Sequence, residues 1–259
     1  MSYGNQFKAH TQLKLSPFFE RTSKLNESQE WRRWSGYLAA TNYELTHENE
    51  YFAIRTKAAL LDITPLYKYI IEGPDAQRFL DRMVTRNIGI CKVDQVMYTP
   101  WCDEDGKQID DGTVQRLSDH KFRITSAEPN LEWIEYNTAG MDLSILDDSY
   151  ATAALAIQGP NSRTILNAVT SDILNNLKFF WMMETRFGDI PVSISRTGYT
   201  GDLGYEIWMD SKDALSVWDL LMDKGKPFGI TPTGLQALDM ARIEAGLILL
   251  DVDYISSRH

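Results

Sequence analysis

The residues Arg196-Thr-Gly-Tyr-Thr-Gly-Asp-Leu-Gly-Tyr-Glu206 bring three kinds of chemistry together in eleven positions. Gly198, Gly201 and Gly204 allow positive φ and a close approach of a ligand to the main chain. Tyr199 offers a flat face for a ring. Glu206, at the start of the next strand, can accept two parallel hydrogen bonds from a planar N–H/NH₂ edge. A turn so equipped suits a flat nitrogen heterocycle such as a pterin or a purine. The same residues also fit a plain β-hairpin turn with Glu206 on a solvated strand face, and the spacing leaves both readings open.

Two further groups carry candidate chemistry. In Asp103-Glu-Asp-Gly-Lys-Gln-Ile-Asp-Asp111 the Asp105-Gly106 pair is a hairpin signal, and Asp110 and Asp111 open the return strand. Neighbours on a strand point to opposite faces, so one carboxylate can enter a pocket while the other meets water. A partly buried aspartate beside a ligand amine can hold or relay a proton; an acidic, solvated hairpin tip is the alternative. In Asp239-Met-Ala-Arg-Ile-Glu-Ala-Gly246, Asp239 and Arg242 share one helix face and can pair with each other. Otherwise the guanidinium fork of Arg242 is free for a ligand carboxylate. Tyr98, ahead of the hairpin, is a candidate ring-stacker, although tyrosine in a strand is usually core. Dinucleotide, P-loop and H-E-x-x-H signatures are missing. His10, His47, His120 and His259 are scattered, so neither a metal site nor a histidine-based triad is expected.

These residues need elements to hold them. Residues 1–46 read as irregular, anchored by Trp31 and Trp34, and 47–61 as a helix. Residues 67–71 alternate like a strand, Gly73-Pro74 breaks it, and 75–84 reads as a helix carrying Phe79, Leu80 and Met83. The phrase returns about 86 residues later, where strand 155–158 ends in Gly159-Pro160 and a helix follows over 161–169. Proline in a helix's first turn costs no hydrogen bond, and two copies of one unit point to a duplicated α+β architecture, with coincidence as the alternative. Strands at 95–101, 109–117 and 121–126 are close enough in sequence to pair antiparallel. Helices are expected over 128–139, 211–224 and 233–248. The abrupt stop after Asp251 to His259 implies part of a longer protein.

Composition narrows the function. The chain has 259 residues, 43% of them hydrophobic, enough for a sizeable core. A net charge of −10 argues against a nucleic-acid partner. No apolar run reaches the ~20 residues of a membrane helix. Met1 to Gln6 lacks the regions of a signal peptide. Cys91 and Cys102 have no metal or disulfide spacing and fit a reducing compartment. The expectation is a soluble, cytoplasmic protein.

Taken in order, five segments resemble the tetrahydrofolate-binding aminomethyltransferase family, the glycine cleavage T-protein and its relatives. Ile54 to Ile63 is similar to the family's "x-R-x-x-x-G-x-x-D-x-S", Gly106 to Asp111 to "G-G-x-I-D-D", and Ala156 to Pro160 to "A-x-Q-G-P". Thr197 to Glu206 is similar to "T-G-Y-T-G-E-x-G-Y-E", and Arg242 to Gly246 to "R-L-E-A-G". The resemblance implies an α+β fold of two interwoven domains, with antiparallel sheets and packed helices around a central folate site. Residues 1–60 with 145–259 would form the first domain and 61–144 the second, inserted one; the family's β-rich third domain is missing. It further implies Asp110 as the catalytic carboxylate near the reactive folate nitrogens, Glu206 holding the pterin, and Tyr98, Tyr199 and Arg242 in the cofactor site. The cofactor would be tetrahydrofolate, the donor a small methyl or aminomethyl compound, and a lipoylated carrier protein a further partner; no metal is implied. Departures from the pattern are Ala59, Thr64-Pro-Leu-Tyr67, Asp103, Lys107, Thr125, Asp202 and Leu238. Most lie on the donor side, so the expected function is a one-carbon transfer to folate with three versions left open: an aminomethyltransferase, a demethylase of a small N-, O- or S-methyl compound, or a non-enzymatic folate-binding module.

Overall fold

In the computed structural model, which describes residues 13–172 and 174–258, the chain builds a five-stranded and a six-stranded β-sheet that face one another, with a separate two-stranded hairpin. Met1 to Gln6, His10 and His259 lie outside the described residues. The segment expected to be irregular contains α1 (Phe19–Leu25) and a hairpin of β1 (Trp31–Trp34) and β2 (Tyr37–Ala40). Its turn is Ser35-Gly36, both at positive φ (47° and 81°), the two-residue geometry that matches strand twist. Trp31 does act as an anchor, its ring 5.4 Å from that of Phe19.

The helix expected over 47–61 stops early. α2 spans Glu48–Thr56, and Lys57 (φ −136°, ψ −116°) turns the chain into β3 (Ala58–Asp62). The next four side chains are buried on both sides, Ala58 and Leu60 in one core and Ala59 and Leu61 in another. A strand can serve two cores in this way through its two-residue period, and the helical spacing of Leu60 was fortuitous.

Two copies of one unit follow. The first runs β4 (Tyr67–Glu72), α3 (Ala76–Met83), a 3₁₀ turn at Ile88–Ile90, β5 (Val96–Cys102), β6 (Gln108–Ser118), β7 (Lys121–Ser126), α4 (Leu131–Tyr136) and β8 (Ser144–Asp147). The second runs β9 (Thr152–Gln158), α5 (Ser162–Val169), a 3₁₀ turn at Leu174–Asn176, β10 (Met182–Phe187), β11 (Ile190–Ser195), β12 (Gly204–Asp210), α6 (Ala214–Gly225) and β13 (Ile230–Pro232), closed by α7 (Leu235–Glu244). α3 and α5 begin 86 residues apart, at 76 and 162. Both corners use a glycine at positive φ, Gly73 at 148° and Gly159 at 117°, where an added Cβ would lie 2.5 Å from the Asp142 carbonyl and 2.7 Å from that of Lys57. The sheet orders are β5-β6-β7-β4-β8 and β10-β11-β12-β9-β3-β13, so the first four strands correspond one for one. Every pairing is antiparallel except β13 with β3. The fold is α+β, as expected. The five-stranded sheet runs from β4 (Tyr67) to β8 (Asp147), whereas β3 (Ala58–Asp62) belongs to the six-stranded sheet.

Each sheet buries its outer face under its own helices. Tyr69, Trp101 and Phe122 pack with Phe79 and Leu80 of α3, and Leu155, Ile157 and Ile207 pack with Ile165 of α5 and Trp218 of α6. Part of the second sheet's inner face carries Ala59, Ala154 and Ala156, small enough for α2 and α7 to pack against it through Ile54, Ala237 and Ala241. The rest faces the first sheet, where the Arg123 guanidinium lies 5.4 Å from the centre of the Trp208 ring. Of the remaining helix expectations, 128–139 shortens to α4, 211–224 opens with a 3₁₀ turn at Ser211–Asp213, and 233–248 ends at Glu244, where Gly246 (φ 71°) turns the chain back. No helix among the described residues is long and apolar enough to cross a membrane.

Candidate functional site

The β5–β6 register decides which aspartate faces what. Trp101 stands opposite Asp110, Pro100 opposite Asp111, and Tyr98 opposite Thr113. Trp101 belongs to the core under α3 and α4, so Asp110 shares that helix-covered face, whereas Asp111 shares the inner face with Tyr98. Asp110 is fully buried. Its Oδ1 accepts the Asp111 N–H (2.7 Å), and its Oδ2 accepts the Glu128 N–H (3.2 Å) and Asn130 Nδ2 (2.7 Å). Burial outweighs these three donors and pushes the carboxyl up to about 7. Asn130 is fixed in turn: its Oδ1 accepts Trp101 Nε1 (3.3 Å) and the Arg258 guanidinium, and its N–H donates to the Tyr69 hydroxyl (2.9 Å). Protein N–H groups thus reach both oxygens of Asp110, the residue expected to meet the ligand, and its side chain lies on the face away from Tyr98. The inner-face carboxylate is Asp111, half-buried and accepting the Tyr254 hydroxyl. Tyr98 keeps 38% exposure, and burial together with the neighbouring Asp111 charge raises its phenol.

The glycine-rich turn differs from its sequence reading in one respect. Gly201 has positive φ (76°), but Gly198 and Gly204 are needed for a different reason. A Cβ on either would fall 2.2 Å or 1.9 Å from Gln158 Oε1. The Gln158 side chain lies across the turn, donating from Nε2 to the Thr197 and Tyr205 carbonyls (3.4 Å each) and accepting the Thr200 hydroxyl (3.0 Å). Two of the three glycines thus admit a buried glutamine and not a ligand. A second clamp joins three motifs: Arg55 donates to the Thr200 carbonyl (2.9 Å) and pairs with Asp202 and with Glu244 (2.5 Å).

Tyr199 and Glu206 are held open-faced by these clamps. The half-buried Tyr199 donates its hydroxyl to the Ile248 carbonyl and is pushed up to about 12, by burial first and then by Asp111. Glu206 is half-buried; its Oε2 accepts the Thr197 hydroxyl (2.6 Å), and burial raises its carboxyl. No cation pairs with it among the described residues. Arg242 resolves the other way. It is 2% exposed and pairs with Asp239 (3.6 Å) and Asp253 while donating to the Leu247 carbonyl (3.2 Å). The internal salt bridge is present in the structure; the hydrogen bonds to Leu247 and Asp253 both use Nη1, while Nε, 3.6 Å from Asp239, has no hydrogen-bond partner.

The segment after α7 returns across these residues. Tyr254 reaches Asp111, the Ser257 N–H donates to the Gln108 carbonyl (2.9 Å), and Arg258 reaches Asn130 and the Pro129 carbonyl (3.4 Å). Tyr98, Tyr199, Asp111 and Arg242 are thereby gathered at one end of the inner faces, and Glu206 sits on the second sheet's inner face beyond the turn. Sequence reasoning missed Asn130, Gln158 and Tyr254. Gln158 left a signal, a polar end to an otherwise apolar strand; Asn130 and Tyr254 left none, since both act across long chain separations.

The geometry can be set beside known proteins. Residues 18–258 match the family model described as the GCVT N-terminal domain. Over 252 residues the sequence is 35% identical to an aminomethyltransferase of Halothermothrix orenii, covering 95% of this chain and 69% of that protein. Over 216 residues it is 42% identical to a trimethylamine-oxide aldolase of Ruegeria pomeroyi, covering 79% of this chain and 27% of that protein. The crystal structure of a glycine cleavage system aminomethyltransferase T from Bartonella henselae matches with a TM-score of 0.81 at 26% identity, over 92% of this chain and 64% of that one. The chain thus spans between about a quarter and about two thirds of the length of these relatives.

Proposed function

The chain belongs to the family of the GCVT N-terminal domain, and from that premise we propose that it is a tetrahydrofolate-dependent one-carbon transferase of the aminomethyltransferase type. The observation that carries this reading is Glu206, an inner-face carboxylate raised by burial, with the Thr197 and Ser195 hydroxyls as its protein partners and no cation beside it among the described residues. A carboxylate so placed calls for a donor edge from outside the chain, and the N–H/NH₂ edge of a pterin supplies one. The residues therefore fit the cofactor. When bound, tetrahydrofolate supplies the amine that takes up the one-carbon unit.

The protein's part is orientation and proton handling. Glu206 holds the heterocycle's donor edge, and the Arg55 and Gln158 clamps keep the turn that carries it from moving. Tyr199 and Tyr98 line the ring and exclude water. Asp111, on the same inner face as Tyr98 and hydrogen-bonded by the Tyr98 and Tyr254 hydroxyls, accepts or returns a proton. Asp110 and Asn130 act from behind the hairpin by fixing the backbone on which Asp111 stands. Arg242 and Asp253 hold the returning segment against Tyr199.

The 42% identity to a protein named trimethylamine-oxide aldolase favours a small methylamine-type donor as the second reading. A lipoylated carrier would have to dock on a chain of net charge −10, so its docking face must be locally basic. The test is an equilibrium titration with tetrahydrofolate followed by tryptophan fluorescence, because Trp208 lies two residues from Glu206. Saturable binding that weakens by about 1–3 kcal/mol in Glu206→Ala is expected. Binding of unchanged affinity in Glu206→Ala would remove the residue on which the reading stands.

A further inference from the structure

The inner face of β12 carries Glu206 and then Trp208, with Ser195 opposite the first and Ser193 opposite the second on β11. From the facing sheet, Arg123 lies over the Trp208 ring at 5.4 Å. Its Nη1 donates to Gln115 Oε1 (3.1 Å), and Gln115 is fully buried. Two polar atoms at this spot are buried without any partner: Arg123 Nε and Gln115 Nε2. Arg123 also lacks a carboxylate within ion-pair distance among the described residues, Asp148 and Glu184 acting on it only from further away. Buried donors are nearly always satisfied, and buried charges are nearly always paired, so this group is complementary to something outside the chain.

Its position gives the complement a shape. Arg123 faces Ile70 across the β4–β7 pairing, and Glu206 faces Ala156 across β9–β12; 70 and 156 are again 86 apart. The duplicated halves therefore set opposite charges at equivalent positions, one on each sheet, with Arg123 over the indole of Trp208, two residues along β12 from Glu206. They are joined by a line of polar groups: Trp208 Nε1 donates to Ser195 Oγ (3.4 Å), Ser195 and Thr197 share a hydrogen bond (2.7 Å), and Thr197 donates to Glu206 (2.6 Å). An unmatched acceptor and unmatched donors that flank one aromatic ring suit a flat heterocycle with a donor edge and an adjacent carbonyl.

We propose that Arg123 and Gln115 hold the ring carbonyl of the same heterocycle whose N–H/NH₂ edge Glu206 takes, and so select a 4-oxo over a 4-amino pteridine. The inference rests on the folate reading above. A 4-amino group would turn an acceptor into a donor and point it at Arg123 and Gln115, leaving both sides unpaired, and would also remove the ring N–H that Glu206 takes.

The test compares tetrahydrofolate with tetrahydroaminopterin, its 4-amino counterpart, by fluorescence titration of the wild type, Arg123→Met and Gln115→Leu. The wild type is expected to prefer the 4-oxo ligand by about tenfold or more, the usual consequence of losing a charge-assisted hydrogen bond. In Arg123→Met that preference shrinks about tenfold, mainly through weaker 4-oxo binding, with the remainder set by the ring N–H that Glu206 takes, and Gln115→Leu shifts it the same way by less. The second variant keeps the test informative if Arg123→Met does not fold. An unchanged preference in a folded Arg123→Met overturns the inference while leaving the folate reading intact. So does an effect confined to an anionic methyl donor, which would assign Arg123 to the donor's carboxylate. A wild type that binds neither pteridine defeats both.

Discussion

The two halves of this chain share a strand order, a Gly-Pro corner and an 86-residue offset, yet they carry no chemistry in common. The difference lies in which connection each half lengthens. The first half joins β6 to β7 by a tight turn and extends the β5–β6 hairpin through residues 103–107. The second joins β10 to β11 by a tight turn at 188–189 and extends the link from β11 to β12 through residues 196–203. The aspartate pair and Tyr98 flank the first extension, and Tyr199 and Glu206 belong to the second. The repeated scaffold makes two faces meet, and each departure from the repeat adds one part of a site, as loops on rigid scaffolds commonly do. The first half is assigned the proton chemistry and the second the grip on the ring.

That division is broken or kept first by the aspartates. Asp111→Asn should lower tetrahydrofolate-dependent turnover about 10²- to 10⁴-fold, the usual range for a lost general base, with folate binding retained. Asp110→Asn should act mainly on stability, since its three partners are all donors and an amide NH₂ would face at least one of them. Steady-state kinetics of both variants decide: full turnover in Asp111→Asn would return the role to the helix-covered face. On the other half, Glu206→Ala should weaken tetrahydrofolate by about 1–3 kcal/mol with little effect on turnover at saturating folate. A loss of turnover alone would mean that the grip and the chemistry are not separate.

Much of this was legible in the sequence because it is local. The Gly-Pro corners, the antiparallel strands and the five motifs fall where the chain pattern puts them. The errors share a physical cause, which is that side-chain contacts across the fold reassign residues whose local pattern fits two uses. Gly198 and Gly204 fit a ligand turn by spacing, but Gln158, some forty residues away, fills the space beside them. Asp110 and Asp111 alternate faces by rule, yet only the Trp101 register shows which face is the inner one. Arg242 had a partner in its own helix, as the i,i+3 spacing allowed, and a second in Asp253 that spacing could not reveal.

The glycine assignment gives the next contrast. Gly204→Ala should destabilise the fold by about 1–3 kcal/mol, because its Cβ would lie 1.9 Å from a buried amide that is hydrogen-bonded on both ends. In a double-mutant cycle with Gln158→Ala the penalties should be clearly less than additive, since the shortened side chain vacates the space. Additive losses in urea unfolding would mean that the glycine serves the backbone instead. The first half offers a pH signature of comparable size. The Asp110 carboxyl sits at about 7 in the folded chain against an ordinary value of 3.8. The folded state therefore favours its protonated form, a stabilisation fully present below about 3.8 and lost as the pH rises through about 7. Between those values, wild-type stability relative to Asp110→Asn should fall with rising pH by at most about 1.4 kcal/mol per pH unit. A constant difference from pH 5 to pH 8 would show that Asp110 is ionised throughout.

The smallest expected effect tests the place where the halves are tied together. Tyr254 comes from the segment that follows the second half, and its hydroxyl is held by Asp111 of the first. Tyr254→Phe removes one hydrogen bond to a charged group that remains partly solvated, so the fold should lose only about 0.5–1.5 kcal/mol. The same change frees an Asp111 oxygen. If the returning segment competes with the ligand for that oxygen, tetrahydrofolate affinity should rise by a few-fold while stability falls, and the two measurements move in opposite directions. If both fall together, the segment is a wall of the site, and the division of labour between the halves has a third contributor in residues 247–258.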